Sequence, residues 1–374
     1  MVGRHAAKRP RRRLVPVAAA LVVVATGTGV TLADTLDTTT STTTSTTLAP
    51  TTTTTVAANV TLSAVGDTEL GDTPQLPPDP STYLAGVRAA LAAPIVFGNL
   101  EGTLYNSGGP SKCGPASTQC YAFRVPTSYA AIYRADGFTV LNSANNHSHD
   151  FGDAGAASTS AALRAAGIAQ AGLPGQIAVV RDGTVRVAFV DFAPYYDTNN
   201  FLDTTSAAAL IRRAHHVADV VVVYLHAGAE GSAADHVTRA TEYYFGENRG
   251  NPYAFAHFAI NAGADLVLAS GPHVLRGMEW YRGHLIAYSL GDFANYNDFA
   301  AFGTLRLSAI LRVTLTSTGS FVAGRFTSVV LSEQGRPSID PTHAAATFVN
   351  QLSVQDFAGA AARIAPSGAI VPPA

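Results

Sequence analysis

From residue 59 onward, short β-branched runs alternate with Ala-rich stretches whose apolar positions recur at helical spacing. Strands are predicted at 60–65, 95–97, 138–141, 185–192, 220–225 and 266–268, and helices at 83–92, 128–134, 156–166, 205–218 and 253–262. Strands separated by helices of this length imply a largely parallel sheet, because parallel neighbours need a long crossover. After residue 278 the texture changes. Runs at 278–281, 285–289, 305–316 and 321–331 are divided by the turn pairs Arg282-Gly283 and Thr318-Gly319, and they read as antiparallel hairpins. An α/β front followed by hairpins predicts two packed mixed sheets with helices outside, an αββα sandwich of the α/β class. One amphipathic helix is expected at 345–352, ahead of a Pro-rich end.

Five of the apolar runs end in polar chemistry. The first leads into Gly66-Asp67, with Glu69 two positions on; the second into Gly98-Asn99-Leu100-Glu101; the third into Asn145-Asn146-His147-Ser148-His149-Asp150. The runs at 220–225 and 266–268 lead into His226 and Ser270-Gly271-Pro272-His273. Buried polar groups cost free energy unless they are paired, ligate a metal or do chemistry. Ligands of open α/β sheets sit outside the carboxyl ends of the strands. That rule gathers Asp67, Glu69, Asn99, Glu101, Asn145, Asn146, His147, His226 and His273 into one crevice. A mixed oxygen and nitrogen set suits one or two divalent ions, with manganese, iron or zinc favoured. A carboxylate shared between two ions would bridge a dinuclear site, and a histidine beside them could protonate a leaving oxygen.

Each residue alone has a plainer reading. Asp67 fits a helix cap, and Asn145-Asn146 fit left-handed turn positions. His215, His216 and His257 lie on Ala-rich helices and read as surface or core positions, and His236 lies in a polar loop. Tyr195-Tyr196 fit either a cleft wall or a packed loop.

Composition adds three constraints. Among 374 residues, 47% hydrophobic and 13% charged content suits a buried core and excludes disorder. Six of the 24 basic residues precede Leu14 and no acid precedes Asp34, so the remainder carries 18 basic against 26 acidic side chains, a net charge of -8. That balance argues against nucleic acid as a partner. The basic start, the apolar stretch 14–25 and the small residues of Thr31-Leu32-Ala33 read as a signal peptide or N-terminal anchor over 1–33. A Thr/Ser-rich linker follows over 34–58, then a domain over 59–335 and a C-terminal segment over 336–374. The protein is therefore expected to be secreted, or anchored to the outer face of the cytoplasmic membrane. The two cysteines, Cys113 and Cys120, share one Gly/Pro/Ser-rich loop, and in an oxidising compartment they are expected to pair.

The motifs also match a family in order. Gly66-Asp67, Asn99-Leu100-Glu101-Gly102, the segment 144–152, Leu225-His226 with Gly228 and Glu230, Pro272-His273 and Leu290-Gly291-Asp292-Phe293 together resemble the bacterial capsule-synthesis CapA family. That family is associated with poly-γ-glutamate production and export and has a calcineurin-like metallophosphoesterase fold. The resemblance implies that Asp67 ligates a first metal and that Glu101 is the bridging carboxylate. It implies Asn146 as the amide ligand, His226 and His273 as imidazole ligands, and His147 as the catalytic proton donor. Asn99, Asn145, Asp150, Glu230 and Asp292 fall near the site as supporting or substrate-facing residues, with Asp292 where Asn is more usual. The chain departs from the family at Ser270 and Gly271, where one or two further imidazoles are common, and His149 is a candidate to compensate. The implied function is a metal-dependent hydrolase or transferase, phosphoesterase-like, acting on an anionic polymer or cell-envelope precursor, with a membrane synthesis complex as a candidate partner. An amide-bond hydrolase acting on poly-γ-glutamate and a non-catalytic polymer-binding component are the alternatives.

Overall fold

The structure, a computed structural model, describes residues 58–372 apart from 115, 119 and 300. The expected leader and nearly all of the linker lie outside the described residues. The chain starts in a first sheet with strands β1 (Asn59–Glu69), β2 (Ile95–Leu100), β3 (Val140–Asn142) and β4 (Ala169–Ala171). It then crosses to a second sheet, laying down β5 (Ala178–Asp182), β6 (Val185–Phe192), β7 (Val220–His226), β8 (Leu266–Ser270), β9 (Met278–Tyr281) and β10 (His284–Ala287). Finally it returns to the first sheet with β11 (Asp292–Asn295), β12 (Leu307–Thr316), β13 (Phe321–Leu331) and β14 (Pro337–Ile339).

The first sheet has the order β14-β13-β12-β1-β2-β3-β4, with β11 also on β1; the second has the order β9-β10-β8-β7-β6-β5. Antiparallel hairpins form one flank of the first sheet and both flanks of the second, β5–β6 and β9–β10; Arg282 and Gly283 both take positive φ in the β9–β10 turn. The alternation of side chains then gives each sheet two apolar faces. Val60, Leu62, Phe97 and Val140 of the first sheet meet Val187, Phe189, Val222 and Leu268 of the second in one core, where Phe97 stacks on Phe189 at 5.1 Å. Helices α1 (Tyr129–Ala135) and α2 (Gly152–Ala166) cover the outer face of the first sheet, and α3 (Thr204–Val217) and α4 (Pro252–Ala262) that of the second. Asp203 caps α3, and Asn251 caps α4 with Pro252 at its first position. The molecule is the expected αββα sandwich.

Two elements differ from the sequence pattern. The helix expected at 83–92 contracts to Arg88–Leu91, because Pro77, Pro78 and Pro80 hold the entry out of helical geometry and Gly86 interrupts the run. Leu84, Val87 and Leu91 are buried nonetheless. After residue 336 the chain packs onto the sandwich: β14 extends the first sheet, and α5 (Ala344–Phe357) buries Ala345 and Val349 in the core between the sheets. No helix among the described residues is long and apolar enough to cross a membrane.

Candidate metal centre

The carboxyl ends of β1, β2, β7 and β8 converge, and β11 enters beside β1 with Asp292 in register with Asp67. β1 bulges just before Asp67, where Asp67 N donates to Gly291 O at 3.0 Å. Gly66 is required there, since a Cβ would fall on the Gly291 carbonyl.

Asp67 is the pivot of the cleft. Its Oδ1 accepts from Asn99 Nδ2 at 2.7 Å and from the Ser270 hydroxyl, which in turn contacts the Tyr224 hydroxyl. Two sets of buried side chains meet here, each with potential ligand atoms within 4.8 Å of one another: Asp67, Glu101 and His226, and Asp67, His273 and Asp292. The carboxylate common to both sets is Asp67, whereas the family resemblance assigns the shared position to Glu101.

The electrostatics of the first set suit a cation. Glu101 is fully buried, and its Oε1 has no hydrogen-bond partner among the described residues. Burial and the neighbouring Asp67 push the Glu101 carboxyl well above the usual carboxylate range. His226 is neutral, since burial pushes it down to about 3. Its Nε2 lies 2.9 Å from Asn146 Oδ1 and its Nδ1 3.3 Å from Asn99 Nδ2, which assigns the proton to Nε2 and leaves the Nδ1 lone pair facing Asp67 and Glu101. The Asn146 carbonyl oxygen is therefore engaged by His226. In the second set burial opposes charge on His273, yet Asp292 at 2.7 Å and Asp67 at 3.4 Å from its Nδ1 hold its pKa well above the usual imidazole value. A cation entering this set must displace that proton.

His147 sits beside both sets and its Nε2 is 3.7 Å from Glu101 Oε1. Its Nδ1 lies 2.8 Å from Asp150 Oδ2, and burial lowers its pKa, so the neutral ring donates Nδ1–H to Asp150 and turns Nε2 toward the cleft. Asp150 is itself fixed by Phe123 N at 2.6 Å and Lys112 Nζ at 2.6 Å. Lys112 precedes Cys113, and the Cys113–Cys120 disulfide closes the loop behind it. Phe123 packs over His147 and Phe299 over His273, with the two phenyl rings edge to face at 5.2 Å.

The remaining candidates divide. Asn145 Nδ2 donates to Asn99 Oδ1 and Leu100 O, and its Oδ1 accepts from His147 N, so it shapes the loop. Glu230 Oε2 is 3.7 Å from His273 Nε2. Glu69 is buried outside both sets, and burial pushes its carboxyl well up. His149 does not compensate for the missing imidazole; its Nδ1 pairs with Asp197 at 3.0 Å. His236 pairs with Asp356 and His257 with Glu279, both outside the two sets. Gly271 sits at φ +112, and a Cβ there would lie 3.0 Å from Ala227 N and 3.3 Å from the His226 ring, which explains why this chain carries no imidazole at 271. Sequence reasoning missed Asn142, whose amide bonds Asn99 Oδ1 at 2.6 Å, although its place at the end of β3 was a usable signal. It also missed Lys112 and Arg249, which stand in loop and hairpin segments with no apolar pattern.

The fold and cleft define a two-sheet α/β protein with a carboxylate–imidazole centre at its strand ends. The chain belongs to the bacterial capsule synthesis protein PGA_cap family, whose model matches residues 61–297. It is 31% identical over 206 residues to the PGA biosynthesis protein CapA of Bacillus subtilis (strain 168), a match covering 50% of this chain and 49% of that one. It is 28% identical over 168 residues to the capsule biosynthesis protein CapA of Bacillus anthracis, covering 42% of this chain and 40% of that one. The matched region thus spans about half the length of these relatives or less. Among solved structures, a 5′-nucleotidase precursor from Thermus thermophilus superposes with a TM-score of 0.42 at 14% identity, over 75% of this chain and 56% of that one.

Proposed function

We propose that this protein is an exported, metal-dependent hydrolase or transferase of capsule-polymer synthesis or export, acting on an anionic polymer or an envelope precursor. The observation that carries the reading is the pair of buried carboxylate–imidazole sets sharing Asp67, with the Glu101 Oε1 left unpartnered. Asp67, Glu101 and His226 would hold one divalent ion and Asp67, His273 and Asp292 a second, with manganese, iron or zinc suited to this donor set. Such ions supply Lewis-acid polarisation of a phosphoryl or acyl oxygen. His147 moves the proton: Asp150 orients the ring and stabilises the charge that appears when Nε2 takes a proton, which Nε2 then returns to the leaving oxygen. Export is supported by the disulfide, which persists in oxidising compartments.

The test is metal content by elemental analysis of the full chain, with Asp67→Ala and His226→Ala beside it. One to two equivalents of a transition metal, reduced in both variants, is the expected result; a folded protein that retains none sinks the enzyme reading. Hydrolysis of an aryl phosphate that disappears in His147→Ala while metal content stays unchanged would identify the proton carrier. The alternative reading, a polymer-binding component without catalysis, draws on Ser270 and Gly271 standing where the family resemblance expects imidazoles. It predicts polymer binding that survives chelation.

A further inference from the structure

One wall of the cleft plays no part in either ligand set. It consists of Tyr195, on the loop after β6, and Arg249, on the second strand of the hairpin Glu242–Tyr244 and Glu247–Gly250. Both line the same cavity of about 570 Å³ as Asn146, His147 and His273. The Tyr195 backbone is fixed, since its carbonyl accepts from Thr198 Oγ1 at 3.0 Å and Asn199 Nδ2 ties the loop to Asp191 O at 3.0 Å. Arg249 is buried. Its Nη2 pairs with Glu230 Oε1 at 2.8 Å, and its Cζ lies 5.9 Å from the Tyr195 ring centroid and 5.6 Å from that of Tyr244.

Two donors on this wall lack an aligned acceptor among the described residues. They are the Tyr195 hydroxyl and the Arg249 Nε–H, which lies 3.1 Å from Glu247 Oε2 without pointing at it, and both atoms are shielded from solvent. Buried unsatisfied donors are destabilising, so each calls for an acceptor from water or a ligand. A ligand seated on this wall would meet two donors and would have to bring lone pairs, as an oxygen of a carboxylate or phosphoryl group does. Across the cleft Glu101 Oε1 is an acceptor without a donor. Glu230 and Glu247 flank the guanidinium and line the same cavity, so this wall offers hydrogen-bond donors rather than net positive charge.

We propose that Tyr195 and Arg249 form an oxyanion subsite, which takes one carboxylate or phosphoryl oxygen of the substrate and sets which bond lies against the carboxylate–imidazole sets. The assignment rests on reading that cleft as the reaction centre. A glutamyl polymer would supply a carboxylate and a phosphate ester a phosphoryl oxygen, and the donors treat both alike.

Titration calorimetry on the full chain, with and without Mn²⁺, tests the subsite with two probes, inorganic phosphate and tri-γ-glutamate. Tyr195→Phe keeps the ring and removes only the hydroxyl. Its dissociation constant for at least one probe is expected to rise about tenfold, with bound Mn²⁺ per chain unchanged. The probe that responds identifies the source of the oxygen. Arg249→Lys, which keeps the charge but loses the planar fork, is expected to move the same constant in the same direction. Unchanged affinity of Tyr195→Phe for both probes, or no binding of either by the unaltered chain, overturns the subsite. Absence of Mn²⁺ from the unaltered chain, with anion binding that still weakens in Tyr195→Phe, overturns the metal reading and leaves the subsite standing.

Discussion

At Asn99 one carboxamide orients polar side chains from three directions. Its Nδ2 donates to Asp67 at 2.7 Å and to Glu101, while its Oδ1 accepts from Asn142 at 2.6 Å and Asn145 at 2.8 Å. Removing the carboxamide takes one of the two acceptors from each donating amide, which keep their bonds to Ala144 O and Leu100 O, and each unmade buried bond costs about 1–3 kcal/mol. It also removes the donor that Asp67 and Glu101 share. Asn99→Ala is therefore expected to destabilise the metal-free fold by roughly 3 kcal/mol, read from the urea midpoint in chelator, and to lower metal retention alongside. A variant as stable as the parent would mean that Asn99 is not the hub its bonds describe. Ser270 does a smaller version of the same task, donating to Asp67 from the second sheet. A hydroxyl thus stands where the family resemblance expects an imidazole, and it serves Asp67 as a donor.

The ends of strands carry the cleft, and this was largely legible in the chain because apolar runs that stop at Asp67, Asn99, His226 and Ser270 advertise their own carboxyl termini. The layers were legible for the same reason: alternation and helical spacing survive in the sequence. What escaped were elements whose residues are held by neighbours rather than by propensity. β11 reads as Gly291-Asp292-Phe293-Ala294-Asn295, without a β-branched run, and it is a strand because the bulged end of β1 offers it a free edge. The hairpin that carries Arg249 is equally polar. The sharing of Asp67 between two sets is a property of strand convergence and has no linear signature. The junction itself gives a prediction. A Cβ at Gly66 collides with the Gly291 carbonyl, a backbone atom with no room to yield. Gly66→Ala is expected to cost more than about 3 kcal/mol by forcing β1 and β11 apart, and Asp292 should leave the Asp67 set with it. Urea unfolding checks the first effect; an Ala variant with parental stability and parental metal content would show that the strands part without consequence.

Over the whole molecule, the cleft gathers acids in a chain whose residues from 14 onward already carry a net charge of -8. Without a cation, this arrangement makes stability depend on pH with a sign that each group fixes separately. His226 and His147 have depressed values in the folded chain, whereas an unfolded imidazole takes its proton near 6.5. Below that pH the unfolded state binds more protons, so stability falls as the solution is acidified. His273 has the opposite sign. Its folded value is raised well above 6.5 by Asp292 and Asp67, so its contribution is complete below 6.5 and is lost as pH rises through that raised value. The Asp67 carboxyl is lowered despite its burial, because His273 and His226 offset the desolvation. Its contribution is present above about 3.9 and disappears only in stronger acid, outside this window. Glu69 and Glu101, whose folded carboxyls lie well above the unfolded range, act in the same direction as His273, so the metal-free chain should lose stability as pH rises above 6.5. Mn²⁺ should flatten the alkaline limb, because a cation in the second set would take the place of the His273 proton and one in the first set that of Glu101, so the stabilisation by metal should grow with pH. Thermal midpoints from pH 5 to 9 in chelator and in Mn²⁺ check this, with His273→Asn expected to make the alkaline limb shallower in chelator. Parallel curves in the two buffers would mean that no cation reaches either set.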